Sequence, residues 1–156
     1  MEIVIKSKKI KDNLVDEKGN VLGTISYNPE DTGAYTKLLE VVDMVSKITE
    51  VGEEIEKTNI EEIPENKELT IEELKKYSEN LKELHSNFKD CDELIEKIKG
   101  NIDDIFGKGT ANIVMENTND LTLLTPFIEA VTPSFSQARN KKVSKYISSA
   151  NSDVLE

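Results

Sequence analysis

Residues 70–106, "TIEELKKYSENLKELHSNFKDCDELIEKIKGNIDDIF", carry the longest regular pattern in the chain. Leu74, Tyr77, Leu81, Leu84, Phe88, Cys91, Ile95, Ile98, Ile102 and Ile105 follow one another by alternating steps of three and four. The repeat is about 3.5 residues, the spacing of a coiled-coil seam or of a long helix packed antiparallel in a bundle. Thr70 and Glu73 stand before it as a capping box, hydroxyl and carboxylate each placed to meet a free backbone N–H. At about 1.5–3 kcal/mol per large apolar side chain removed from water, a bare stripe forfeits on the order of 15 kcal/mol or more. The stripe therefore needs a cover, and the candidates are an earlier helix, a second copy of the chain, or a helical partner.

The earlier helix is written in "YNPEDTGAYTKLLEVVDMVSKI", residues 27–48. Asn28 suits an N-cap and Pro29 the first helical position, and Glu30 and Asp31 place negative charge at the positive end of the helix dipole. Leu38, Val41, Val45, Ile48 and Ile55 recur at helical spacing, with Gly52 a weak point, so the helix spans about residues 29–57. Residues 58–69, "TNIEEIPENKEL", break the periodicity around Pro64 and read as an acidic loop through which the two long helices reverse. Before the first helix, Ile3, Val4 and Ile5 form a β-branched run. Leu14-Val15 and Val21 to Tyr27 flank a turn at Asp16–Asn20 in which Gly19 can take a positive φ. Residues 1–28 are therefore expected to form a β-hairpin or a three-stranded β element.

After the long stripe comes "NIDDIFGKGTANIVM", residues 101–115. A phosphate-binding loop needs Gly, four residues, then Gly-Lys-Ser/Thr between a strand and a helix. Gly107-Lys108-Gly109-Thr110 has another order and follows a helix. It reads as a stop and restart: Gly107 left-handed at the helix end, Lys108 a cation near the carboxyl terminus, and Thr110 the cap of the next helix. Thr125-Pro126 and Thr132-Pro133 each read as a cap followed by proline, giving short helices over about residues 110–148. Residues 151–156 read as a flexible tail. The fold class is mainly α: an antiparallel long-helix hairpin or small bundle over residues 29–150, with the amino-terminal β element attached.

The chain has 31 acidic and 20 basic residues among 156 and a formal charge of -11, which opposes nucleic acid or an anionic membrane as partner. One cysteine excludes an internal disulfide and a multi-cysteine metal site and suits a reducing cytoplasm. No apolar run approaches the roughly 20 residues of a membrane helix. His85 is the only histidine, Cys91 sits in the seam as a small apolar residue, and the carboxylates of "DCDE", residues 90–93, point in different directions around a helix. No catalytic, cofactor-binding or metal-binding residue is expected, and the chain reads as a soluble, non-enzymatic binding protein. Its candidate contact residues are Leu74, Tyr77, Leu81, Leu84 and Phe88 on the seam. Arg139, Lys141, Lys142 and Lys145 form a basic patch suited to an acidic surface.

The order of a strand segment, the "NPED" helix start, "CDELIEKIKGNIDDIFGKGT" and "NDLTLLTPFIEAV" before a basic last helix resembles small tail-module proteins of phages and prophages of Gram-positive bacteria, the tail assembly chaperones. "DDIFGKGTANIVM" is the sharpest part of the likeness. The resemblance implies a chaperone in the host bacterial cytoplasm that holds the tape measure protein soluble and yields to tail-tube subunits as a phage tail, or a phage-tail-like particle (tailocin), assembles. It transfers no catalytic residue and no cofactor, and self-association remains open. The alternative is a structural tail component retained in the particle, such as a tail completion or baseplate subunit.

Overall fold

Asp16 shapes the first element. Its carboxylate accepts the Lys18 and Asn20 backbone amides, both at 2.9 Å, and the Asn20 side-chain amide at 3.1 Å, while Gly19 takes φ +84°. The bonds from Asn20, ahead of that from Lys18, hold the Asp16 carboxyl below the usual carboxylate range. This turn joins β1 (Ile10–Val15) antiparallel to β2 (Val21–Tyr27), with Ile10 opposite Tyr27 and Leu14 opposite Gly23 and a register shift between Leu14 and Val15. In this computed structural model, which describes residues 1–57, 70–80 and 82–154 with side chains at 1–53, 70–75 and 88–141, the sheet has two strands. The three-stranded alternative is not realised: residues 1–9 are in no strand, and Ile3, Val4 and Ile5 stand exposed. β-branched residues favour extended backbone, but a strand exists only where a neighbouring row of N–H and C=O groups pairs with it.

The first long helix, α1 (Thr32–Lys57), begins later than its proline suggests. The Asn28 side chain accepts the Glu30 amide at 3.0 Å and the Asn28 carbonyl accepts the Asp31 amide at 3.1 Å, so Asn28 and Pro29 make a turn. Asp31 is the residue that caps: its carboxylate accepts the Gly33 amide at 2.9 Å and its carbonyl the Tyr35 amide at 3.1 Å. At the start of α2 (Ile71–Asn80), Thr70 Oγ1 accepts the Glu73 amide at 3.3 Å, the bond that the expected capping box asks of its threonine. The seam continues on α3 (Lys82–Phe106). The expected acidic loop at 58–69, and Leu81, lie outside the described residues.

The two long helices run antiparallel, as their spacing implies. Lys37 pairs with Asp104 at 3.1 Å, and Asn101 donates to the Glu40 carboxylate at 3.1 Å and to the Lys37 carbonyl at 3.3 Å. Leu38 and Val41 of α1 are buried with Ile95, Ile98, Ile102 and Ile105 of α3 in one cluster that also takes in Ile25 and Tyr27 of the hairpin. The ion pair is half exposed and contributes little, on the order of 0–1 kcal/mol, so apolar burial holds the helices together.

Phe106 closes α3 at the centre of an aromatic cluster. Its ring meets Tyr27 and Phe127 edge-on, with centroids at 5.1 and 5.0 Å, and Phe135 at 6.3 Å. Gly107 then takes φ +117° and Gly109 φ +88°, which stop α3 and start α4 (Thr110–Val114) as the glycine spacing predicts. Thr110 is not the cap. It is buried inside α4 and its hydroxyl donates to the Gly107 carbonyl at 2.7 Å, while the Asp103 carboxylate reaches across to accept the Ala111 amide at 2.9 Å.

Beyond α4 the short helices expected from the two Thr-Pro pairs are one helix, α5 (Leu121–Val154), with Pro126 and Pro133 inside it. Its cap is Asp120, which accepts the Thr122 amide at 3.0 Å and the Thr122 hydroxyl at 2.6 Å. The hydroxyls of Thr125 and Thr132 donate instead to the carbonyls of Leu121 and Ile128, at 3.2 and 2.6 Å. Both prolines lie on the exposed side, where water can satisfy the carbonyls left without an amide donor. The helix also includes residues 151–154 of the expected flexible tail, of which residues 155 and 156 lie outside the described residues.

Candidate protein-binding surface

The seam is covered over only part of its length. Ile95, Ile98, Ile102 and Ile105 are at most 6% exposed beneath α1, whereas Phe88 is 52% and Leu74 46% exposed. Ile71, beside the start of the stripe, is 79% exposed. Cys91 lies between the two stretches and is half-buried. Burial raises its thiol pKa above the ordinary value, with the Asp92 and Asp90 carboxylates adding to the shift, so Cys91 is a poor nucleophile and packs as a small apolar residue. The Tyr77, Leu84 and His85 side chains lie outside the described ones, and Tyr77 and Leu84 fall on the repeat between Leu74 and Phe88.

Phe88 is set apart from the other phenylalanines. Phe106, Phe127 and Phe135 all stack within the core cluster, while Phe88 is exposed on α3. Phe88 and Leu74 both stand exposed at seam positions, and exposed aromatic and aliphatic side chains are the material from which protein contacts are built. Nearby acidic groups stay in solvent: Asp92 is exposed and accepts the Asn119 side-chain amide at 3.0 Å, and Lys99 donates to the same side chain at 2.9 Å. These bonds tie α3 to the loop before α5.

The basic residues are divided. The Arg139 guanidinium lies 5.7 Å from the centre of the Tyr35 ring, and that ring stacks on Phe135 at 6.1 Å, so Arg139 partly serves the fold. Lys141 is exposed. The Lys142 and Lys145 side chains lie outside the described ones.

A second surface was not apparent from the sequence. The hairpin turn and the α4–α5 corner enclose an open groove of about 770 Å³, with Leu14, Val15, Leu22, Ile113, Leu123 and Phe127 among its walls and Asp16, Glu17, Lys18 and Glu116 at its charged positions. Gly23 permits the close approach of α4, since a Cβ there would stand 2.7 Å from Ile113 Cδ1. The available signal was a run of apolar residues, Val15, Val21 and Leu22, beside a polar turn. All three are more than half exposed.

At the glycine junction the donors of Thr110 and Ala111 are turned to the chain itself. The Thr110 hydroxyl and amide both bond the Gly107 carbonyl, and the Ala111 amide is taken by Asp103. Among the described residues no group of three His, Cys, Asp or Glu side chains converges as a metal site. No helix among them is long and apolar enough to cross a membrane.

In the comparison with protein families, one described as a family of unknown function (DUF6673) matches residues 41–153, from the middle of α1 through the seam and the glycine junction into the end of α5. No curated protein and no solved structure matches the chain.

Proposed function

The chain belongs to the family of unknown function DUF6673, and we propose that it acts as an assembly chaperone for a helical client. The client is the tape measure protein of a phage tail or phage-tail-like particle, and the chaperone yields it to tail-tube subunits during assembly. The observation that carries this reading is the seam that passes from full burial at Ile98 to half exposure at Phe88 along a single helix. The buried end fixes α3 in the core. The other end leaves Phe88 and Leu74 exposed on the repeat, and apolar residues at that spacing are what an amphipathic helix of another protein reads. A formal charge of -11 keeps such a complex soluble while the apolar stripe is occupied. Chemistry is no part of this role, and the likeness to tail-module proteins supplies the identity of the client.

Co-expression with the tape measure protein encoded nearby tests the reading. The expected result is a rise in soluble tape measure protein and recovery of a complex, both lost with Leu74→Asp and Phe88→Asp. An insoluble client with no recovered complex rejects it. Mass spectrometry of purified particles separates the released chaperone from a retained tail completion or baseplate subunit, because a stoichiometric amount in finished tails contradicts release.

A further inference from the structure

Residues 1–9 precede β1 without joining any strand, and Ile3, Val4 and Ile5 are 78%, 86% and 87% exposed. Among the described residues nothing covers these three adjacent β-branched side chains. They are followed by Lys6, Lys8 and Lys9 against the single acid Glu2, a basic segment in a chain whose formal charge is -11. Lys8 pairs with Glu30 at 2.8 Å, which holds the base of the arm at the Ile10–Tyr27 end of the hairpin. The apolar groove lies at the opposite, turn end, where Asp16, Glu17 and Glu116 outnumber Lys18. Residues 3–5 are thus an apolar stretch followed by a basic stem, and the groove has apolar walls and acidic edges.

We propose that residues 3–5 of one copy seat in the groove of a second copy, between its hairpin turn and its α4–α5 corner, so that copies of the chain join by their arms. The apolar side chains meet Leu22, Ile113 and Phe127, and Lys6 and Lys9 face the acidic edge. Charge complementarity favours this pairing: two acidic chains repel on most of their surface, and of the two locally basic stretches, the arm and the end of α5, the arm is the one placed beside three adjacent exposed apolar residues. Extended backbone suits the occupant, because among the described residues β1 and β2 pair only with each other, so both are edge strands of a two-stranded sheet. The inference is independent of the client-binding role, which uses the seam.

Sedimentation velocity of the full chain over a range of concentrations tests it. A species of at least twice the 17.5 kDa chain mass is expected at low salt, weakening as salt screens the arm's lysines. Val4→Asp and Leu22→Asp, both at exposed positions, should each return single chains with an unchanged circular dichroism spectrum. In a Cys91→Ser background, copies carrying Val4→Cys mixed with copies carrying Leu22→Cys should form an interchain disulfide. The exchange is overturned by a chain that stays single at every concentration. It is equally overturned by an oligomer that survives either Asp variant, by one that Phe88→Asp alone dissolves, or by a mixture in which no disulfide joins a Val4→Cys copy to a Leu22→Cys copy.

Discussion

Tyr27 carries a part-buried hydroxyl that donates to the Asp12 carboxylate at 3.3 Å; burial raises its pKa above the ordinary tyrosine value, a hydrogen bond with Ser134 opposes the rise, and the Asp12 charge adds to it. The neutral form is the one the core holds, so the folded chain keeps this proton more tightly than the unfolded chain does. Its contribution to stability is complete below pH of about 10 and declines as the pH rises through the folded value. Urea melts between neutral pH and pH of about 11 should show that decline, and Tyr27→Phe should flatten the part due to this hydroxyl. Two backbone positions make a matched pair. Gly109 takes φ +88° where a side chain costs energy, and Glu116 takes φ +52° although it has one. Gly109→Ala should lower stability by about 1 kcal/mol and Glu116→Gly raise it by about 0.5–1 kcal/mol, both read from thermal melts. Caps were the least legible feature of the sequence at this scale. Asn28 and the threonines before Pro126 and Pro133 look like caps because proline suits a first helical turn, but a proline also suits a turn or an exposed helix face. Asp31 and Asp120, which do cap, differ from the other acids only in which amide they reach.

The long helices were legible because periodicity and burial follow from the same geometry. The three- and four-residue steps that pick out Ile95, Ile98, Ile102 and Ile105 are those that put side chains on one face of α3. What the repeat omits is the extent of its cover. Every seam position has the same spacing, whether α1 lies over it or water does, so Phe88 and Ile98 are indistinguishable in sequence and opposite in the structure. Substitution separates them. Ile98→Asp places an unpaired carboxylate at a fully buried site and should unfold the chain at neutral pH, whereas Phe88→Asp should change stability by no more than about 0.5 kcal/mol. Chemical denaturation followed by circular dichroism checks both, and a strongly destabilised Phe88→Asp would show that the ring belongs to the core. The groove was hidden for a related reason: its walls come from the hairpin, α4 and α5, which no local pattern connects.

Among the described residues one apolar cluster joins the amino-terminal hairpin to α1, α3, α4 and α5. Ile25 and Tyr27 are buried with Leu38, Phe106 and Phe135, so the hairpin is a wall of the same core. The family match begins at residue 41 and leaves that wall out. A chain shortened to residues 41–153 should therefore lose cooperative unfolding and bind a hydrophobic dye, since Phe106 and Phe135 are left facing water. A sharp melt with native near-ultraviolet signal would instead show that the helices close without the hairpin. The overall acidity of the chain says which partners are disfavoured, but it carries no information about which apolar residues remain open to a favoured one. Cys91, half-buried where the covered stretch of the seam gives way to the open one, adds an experimental opportunity: it is the only thiol in the chain. Attached at alkaline pH, which offsets the raised thiol pKa, a small environment-sensitive fluorophore there needs no engineered site, and its emission should shift to the blue when a helix occupies the stretch around Phe88, turning the protein into its own gauge of occupancy.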